Sequence, residues 1–97
     1  MSKPAYLNFE VEIHDVAALQ PYLDGVEATL APFSLQVLVN GDNVAALEGE
    51  APKGKVVMLR FESMEMARAW YASPAYQAIL GHRLNATTSR AFLVEGL

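Results

Sequence analysis

The sequence predicts an α+β domain in which two helices cover one face of a four-stranded antiparallel sheet. Three observations carry that expectation. Ala5 to Ile13 alternates strictly between apolar and polar residues, which is the period of a half-buried strand. Two later stretches repeat apolar residues at helical spacing. The period of the apolar pattern switches in the order β-α-β-β-α-β along the chain. With 97 residues, 53% of them hydrophobic and 19% charged, residues 1–97 form a single domain, and a disordered chain is excluded.

In the first strand Ala5, Leu7, Phe9, Val11 and Ile13 point one way, and Tyr6, Asn8, Glu10 and Glu12 the other. His14-Asp15 ends it, and Asp15 suits a helix N-cap. Val16, Leu19, Leu23, Val26 and Leu30 then make one helical stripe. Pro21 donates no N–H and clashes one turn back, so the regular helix is expected from about Pro21, after a loose first turn, and should close before Pro32. Gly25 in that helix suggests close approach to another backbone. Leu35–Val39 reads as a strand broken at Asn40-Gly41-Asp42-Asn43. Val44–Glu48 reads as extended again, ahead of a polar loop over Gly49–Gly54.

Lys55–Glu62 is apolar enough to be a central strand. Ser63 is placed to cap a helix carrying Ala67, Trp70 and Tyr71. Ser73-Pro74 restarts a second helical piece, with Ser at N-cap and Pro at N1. Tyr76, Ile79, Leu80, Arg83 and Leu84 share one side of that piece, and Arg90–Glu95 is the last strand. This order, with the second helix split, is the ferredoxin-like split βαβ arrangement. It leaves one sheet face without helices. Tyr6, Asn8, Glu10, Glu12, Gln36, Leu38, Val56, Met58 and Arg60 are expected there. Such a face is either solvated or covered by a second subunit, and its apolar members favour a homodimer.

Charge and composition narrow the function. Between Lys3 and Lys53 the chain has no Lys or Arg but eight acids, and from Lys53 onward six bases face three acids; the net charge is −4. That distribution offers no footprint for nucleic acid or an anionic membrane, and it suits two halves that pack together and pair their charges. There is no cysteine, which excludes disulfides, thiolate metal sites and cysteine nucleophiles. Met-Ser-Lys-Pro is followed by no apolar leader segment and no apolar run approaches membrane-spanning length, so a cytoplasmic protein is expected.

Several segments together resemble a known family. They are Tyr6-Leu7, Asp15 through Tyr22, Leu47-Glu48-Gly49, Val56-Val57 through Phe61 and Ala67-Arg68-Ala69-Trp70-Tyr71. To these are added Ser73-Pro74-x-Tyr76-Gln77, Arg83 and the closing Leu93-Val94-Glu95-Gly96. Over essentially the whole chain they resemble the small bacterial family called domain of unknown function 1330. The resemblance implies a ferredoxin-like fold whose sheet pairs with a second subunit's in a dimeric α/β barrel. That superfamily includes cofactor-free monooxygenases, lactone isomerases and haem-handling proteins. Members often carry Gly-Gly ahead of the second strand, where this chain has Pro32-Phe33-Ser34, a departure that bears on the entry loop and not on the fold. The family carries no established activity, so the resemblance transfers architecture and only suggests function.

Few motifs carry chemistry. Gly49 to Lys55 matches the spacing of a phosphate-cradling loop. Val56 stands where a magnesium-binding Ser or Thr belongs, however, and a strand follows where a helix should. Asn85-Ala86-Thr87 is a glycosylation sequon without meaning in a cytosolic chain. His14 and His82 have no further ligands at metal spacing, so neither a metal nor a cofactor is expected; a lone haem-ligand role for His82 rests only on the superfamily. Trp70 and Tyr71 project about 100° apart, so at most one faces the sheet. Arg83, seven residues beyond Tyr76, is the most function-like residue: a cation on an otherwise apolar helix side. It either pairs with an acid such as Glu48 or Glu10, or serves a site. Glu10 and Arg60 are likewise either a cross-strand pair or functional groups.

Two functions follow. In one, the protein binds a small organic molecule, or merely dimerises, without chemistry. In the other, a cofactor-free enzyme of monooxygenase or isomerase type acts on a small carbonyl or phenolic compound. There Glu48 or Glu10 would be the base, and Arg60 or Arg83 would stabilise the enolate. Tyr6, Asn8, Tyr71, Tyr76 and His82 would line the pocket.

Overall fold

The computed structural model describes residues 3–97; Met1 and Ser2, part of the N-terminal stretch read above, lie outside it. In order the elements are β1 (Ala5–Ile13), α1 (Val16–Leu30), β2 (Leu35–Gly41), β3 (Lys55–Phe61), α2 (Met64–Ala72), α3 (Pro74–Ala86) and β4 (Thr87–Glu95). The strands form one antiparallel sheet in the order β2-β3-β1-β4, as in a ferredoxin-like fold. β1 and β3 are central because they are the most apolar strands, and only the central positions bury both flanks. A Cα envelope of 39 × 35 × 15 Å is the thickness of one sheet and one helix layer, so the second sheet face is open.

Alternation in β1 places Ala5, Leu7, Phe9 and Val11 in the core against Leu19, Leu59, Phe61, Trp70, Tyr76 and Leu80. Trp70 is fully buried, its indole N–H donating to Thr29 Oγ1 at 3.1 Å, while Tyr71 lies on the outer side of α2. The caps stand where the sequence puts them. Asp15 accepts from the Ala18 N–H, Ser63 from that of Met66 and Ser73 from that of Tyr76, with Pro74 opening α3.

Six expectations are corrected in whole or in part. α1 begins at Val16, not near Pro21: the lost N–H bond falls on a solvent face, where Ala17 and Pro21 are exposed and water can serve the freed carbonyl. Its buried stripe is also rotated. Leu19, Tyr22 and Thr29 are buried while Val16 and Leu23 are exposed, because Tyr22 finds a hydrogen-bond partner inside. Val44–Glu48 forms no strand: β2 pairs on through Gly41, beyond a bulge between Val37 and Val39, and residues 42–54 are loop. Leu84 is exposed on the outer side of α3. Gly25 does mark a close approach, but to the Ile79 side chain of α3. β4 starts three residues earlier than expected, at Thr87, extending its pairing with β1 to Ile13.

Candidate functional site

α1 does not lie flat on β2 and β3. Between them a cavity of about 230 Å³ opens, with Phe9, Leu19, Val26, Leu59 and Trp70 among its apolar walls. Val37, Asn40, Glu27 and the half-buried Lys55 mark its opening. One charged side chain reaches its interior, Arg83 from α3, which is only 3% exposed.

Arg83 is a buried cation without a carboxylate. Nη1 donates to Ser89 Oγ at 2.7 Å, and Nε is buried with no hydrogen-bond partner among the described residues. The guanidinium carbon stands 5.0 Å from the Phe9 ring centroid and 5.8 Å from that of Tyr22, which offers cation–π attraction on both. Thr87 Oγ1 donates to the Arg83 carbonyl at 2.6 Å and lies 3.3 Å from Ser89 Oγ, so the start of β4 fixes both the helix end and the Arg83 anchor. A guanidinium remains protonated at any physiological pH, so the cavity holds a permanent positive charge. An isolated ion so placed loses hydration that one hydroxyl and two rings replace only in part.

Beside it, the Tyr22 and Tyr76 hydroxyls are 2.9 Å apart. Burial, reinforced by Tyr76, pushes the Tyr22 phenol well above its ordinary range, against an opposing pull from Arg83. Tyr22 is therefore neutral at physiological pH. It is a hydrogen-bonding group and not a base.

The residues singled out from the sequence separate onto different parts of the molecule. Arg83 lines the cavity, and Tyr76 backs it through Tyr22. Glu48 lies in the exposed 42–54 loop and lines no cavity with Arg83. Glu10 lies on the open sheet face and pairs with Arg90 of β4, whose Nε donates to Glu10 Oε1 at 3.0 Å. The expected partner, Arg60, stands opposite Tyr6 and Gln36 instead, because the β1–β3 register sets Glu10 against Val56. Tyr6 and Asn8 are on the open face too, Asn8 Nδ2 donating to the Tyr6 carbonyl at 3.2 Å. Tyr71 borders a shallow cleft between α2 and β4, and His82 is exposed. Tyr22 and Ser89 escaped sequence reading. Tyr22 sits three residues after Leu19 and four before Val26, a spacing that in retrospect marks the buried stripe.

The open face gathers Val56 and Met58 of β3 with Phe92 and Val94 of β4, which are 45% and 50% exposed. Among the described residues no group of three or more His, Asp or Glu is disposed to hold a metal ion. No helix among them is long and apolar enough to cross a membrane.

Comparison with solved structures bears out the fold. A protein of unknown function from Rhodopseudomonas palustris superposes with a TM-score of 0.80 at 16% identity, covering 100% of this chain and 85% of its own. A dimeric ferredoxin-like protein of unknown function from Jannaschia sp. CCS1 gives 0.69 at 13% identity over 96% and 99% of the two chains. The cofactor-independent oxygenase SnoaB of Streptomyces nogalater gives 0.65 at 14% identity over 100% and 95%. No curated protein sequence matches the chain. The family described as domain of unknown function 1330 matches residues 4–97, nearly the whole sequence whose elements are described above, and the chain belongs to that family.

Proposed function

We propose that the protein is a cytoplasmic homodimer, joined through its open sheet faces, in which each subunit binds a small organic molecule in the cavity beneath α1. Arg83 carries the binding reading: a buried cation with an unsatisfied N–H lining an apolar cavity is an arrangement that a bound ligand's acceptor would complete. The dimer is supported by the apolar open face and by the dimeric state of the Jannaschia relative. The net charge of −4 supports a partner list without nucleic acid or membrane.

A cofactor-free enzyme is the second reading, favoured by the same arginine and by likeness of fold to the Streptomyces oxygenase. Arg83 would stabilise the oxyanion of an enolate or phenolate formed from a small carbonyl or phenolic compound. The interior of the cavity supplies no base among the described residues. Tyr22 stays protonated, and Glu27, an exposed residue at the opening, is its one acid. Binding without chemistry is therefore the reading the site supports best.

Two measurements test it. Sedimentation at micromolar concentration should give twice the 10.6 kDa chain mass, and a species of 10.6 kDa would refute the dimer. A thermal-shift screen of small neutral and anionic ring compounds should give hits whose NMR perturbations fall on Leu19, Tyr22 and Leu59. A ligand at 100 times its Kd adds about 2.7 kcal/mol to stability, which is readily seen. A screen without hits would end the binding reading. Proton–deuterium exchange at the α-carbon of a bound carbonyl compound would move the conclusion to the enzyme.

A further inference from the structure

Resting on the cavity-binding reading, we infer that the ligand is a monocarboxylate with one ring, about the size of benzoate, whose carboxylate is received by Arg83 and whose body lies among the apolar walls beneath α1. Three features of the cavity lead there.

The first is charge. The interior offers one permanent positive charge and no carboxylate to cancel it. The exposed Glu27 and the half-buried Lys55 at the opening are of opposite sign and leave the interior unchanged. One negative charge on the ligand makes the buried ensemble neutral, whereas a second would be desolvated without a partner.

The second is the geometry of the guanidinium. Nη1 is held by Ser89 Oγ, which orients the head group, and Nε is the buried donor left without a partner among the described residues. Nε–H and the neighbouring Nη2 form the side-on fork that a planar carboxylate engages with two parallel hydrogen bonds. A lone hydroxyl or ether would satisfy only one of those donors and leave the ion uncompensated. Arg83 would thus be a binding residue, and Ser89 a positioning residue acting through it.

The third is size. Benzene occupies an apolar cavity of roughly 150 Å³. The 230 Å³ here is on the scale of one ring with a carboxylate. Leu19, Val26, Leu59 and Trp70 around the remainder offer no polar atom for further ligand groups beyond the Tyr22 hydroxyl near Arg83.

The experiment compares benzoate, the neutral isostere benzamide and the dianion phthalate by titration calorimetry and NMR, on wild type, Arg83→Met and Arg83→Lys. Benzoate should bind wild type at least tenfold more tightly than benzamide and tenfold more tightly than phthalate. Arg83→Met should abolish that preference while benzamide affinity stays within threefold, which shows that the cavity is intact. Arg83→Lys keeps the charge without the fork and should restore benzoate binding only in part. Ser89→Ala should weaken benzoate but not benzamide. Benzamide or phthalate binding wild type as well as benzoate does would overturn the monocarboxylate inference and leave cavity binding standing. If none of the three perturbs Leu19, Tyr22 or Leu59 in wild type, the inference and the reading beneath it fall together.

Discussion

Replacing Arg83 by Met should make the protein more stable. The Ser89 bond to a charged donor contributes about 1.5–3 kcal/mol. The two ring contacts, at 5.0 and 5.8 Å, contribute about 0.5–2 kcal/mol each. Against these stands the desolvation of the guanidinium, several kcal/mol even after relaxation, with Nε left unbonded. The two sides nearly cancel, so the arginine itself adds little. Met has a comparable reach, fills the same apolar surroundings and contributes about 1.5–3 kcal/mol by burial. Ser89 Oγ loses a donor but keeps Thr87 Oγ1 nearby. A net gain of about 1–2 kcal/mol follows, or roughly 5–10 °C in Tm for a domain of this size. Calorimetric melting at fixed protomer concentration measures it, so that any self-association affects both proteins alike. A loss of about 3 kcal/mol or more would refute the reasoning. That is the cost of breaking a buried pair, and it would mean that Arg83 holds an acid in the assembled protein.

Two further outcomes follow from the fold. Gly54 has φ +78°, and a Cβ there would meet the Val11 carbonyl oxygen at 2.3 Å. Gly54→Ala should therefore cost about 3 kcal/mol, part from the left-handed backbone and part from overpacking, seen as a lower urea midpoint with unchanged m; a loss below about 1 kcal/mol would contradict it. Tyr22 keeps its proton far longer folded than unfolded, where it ionises near pH 10, so the folded state binds the extra proton. Its stabilisation is intact below pH 10 and lost as pH rises above it. Tyr22→Phe should flatten that alkaline decline while costing about 1–3 kcal/mol at pH 7, where the Tyr76 hydroxyl loses its buried partner. An unchanged alkaline slope would contradict the assignment.

Much of this molecule is written locally. Alternation over Ala5–Ile13 places β1 and its buried face, because a period of two leaves one face apolar whatever the strand pairs with. Asp15, Ser63 and Ser73-Pro74 fix helix starts through bonds that span three residues. These interactions are short in sequence, so the sequence alone determines them, and with the element order they determine the fold. Arg83 was visible for the same reason: a cation on an apolar helix side is a local anomaly.

What surrounds Arg83 was decided only by tertiary structure. Its Ser89 anchor lies at the start of β4, and Tyr22 meets Tyr76 across 54 positions of sequence. Glu10 pairs with Arg90 and not Arg60, because strand register, set by every core contact at once, puts Val56 opposite it on β3. Pro21 locally favours a helix boundary, yet the helix runs through it because that turn faces water. Whether a polar group is paired, buried or hydrated depends on what the rest of the chain brings to it. No pattern in the sequence encodes that the acids near in composition, Glu10 and Glu48, end on the open face and in a loop, leaving the charge of Arg83 for something else to meet.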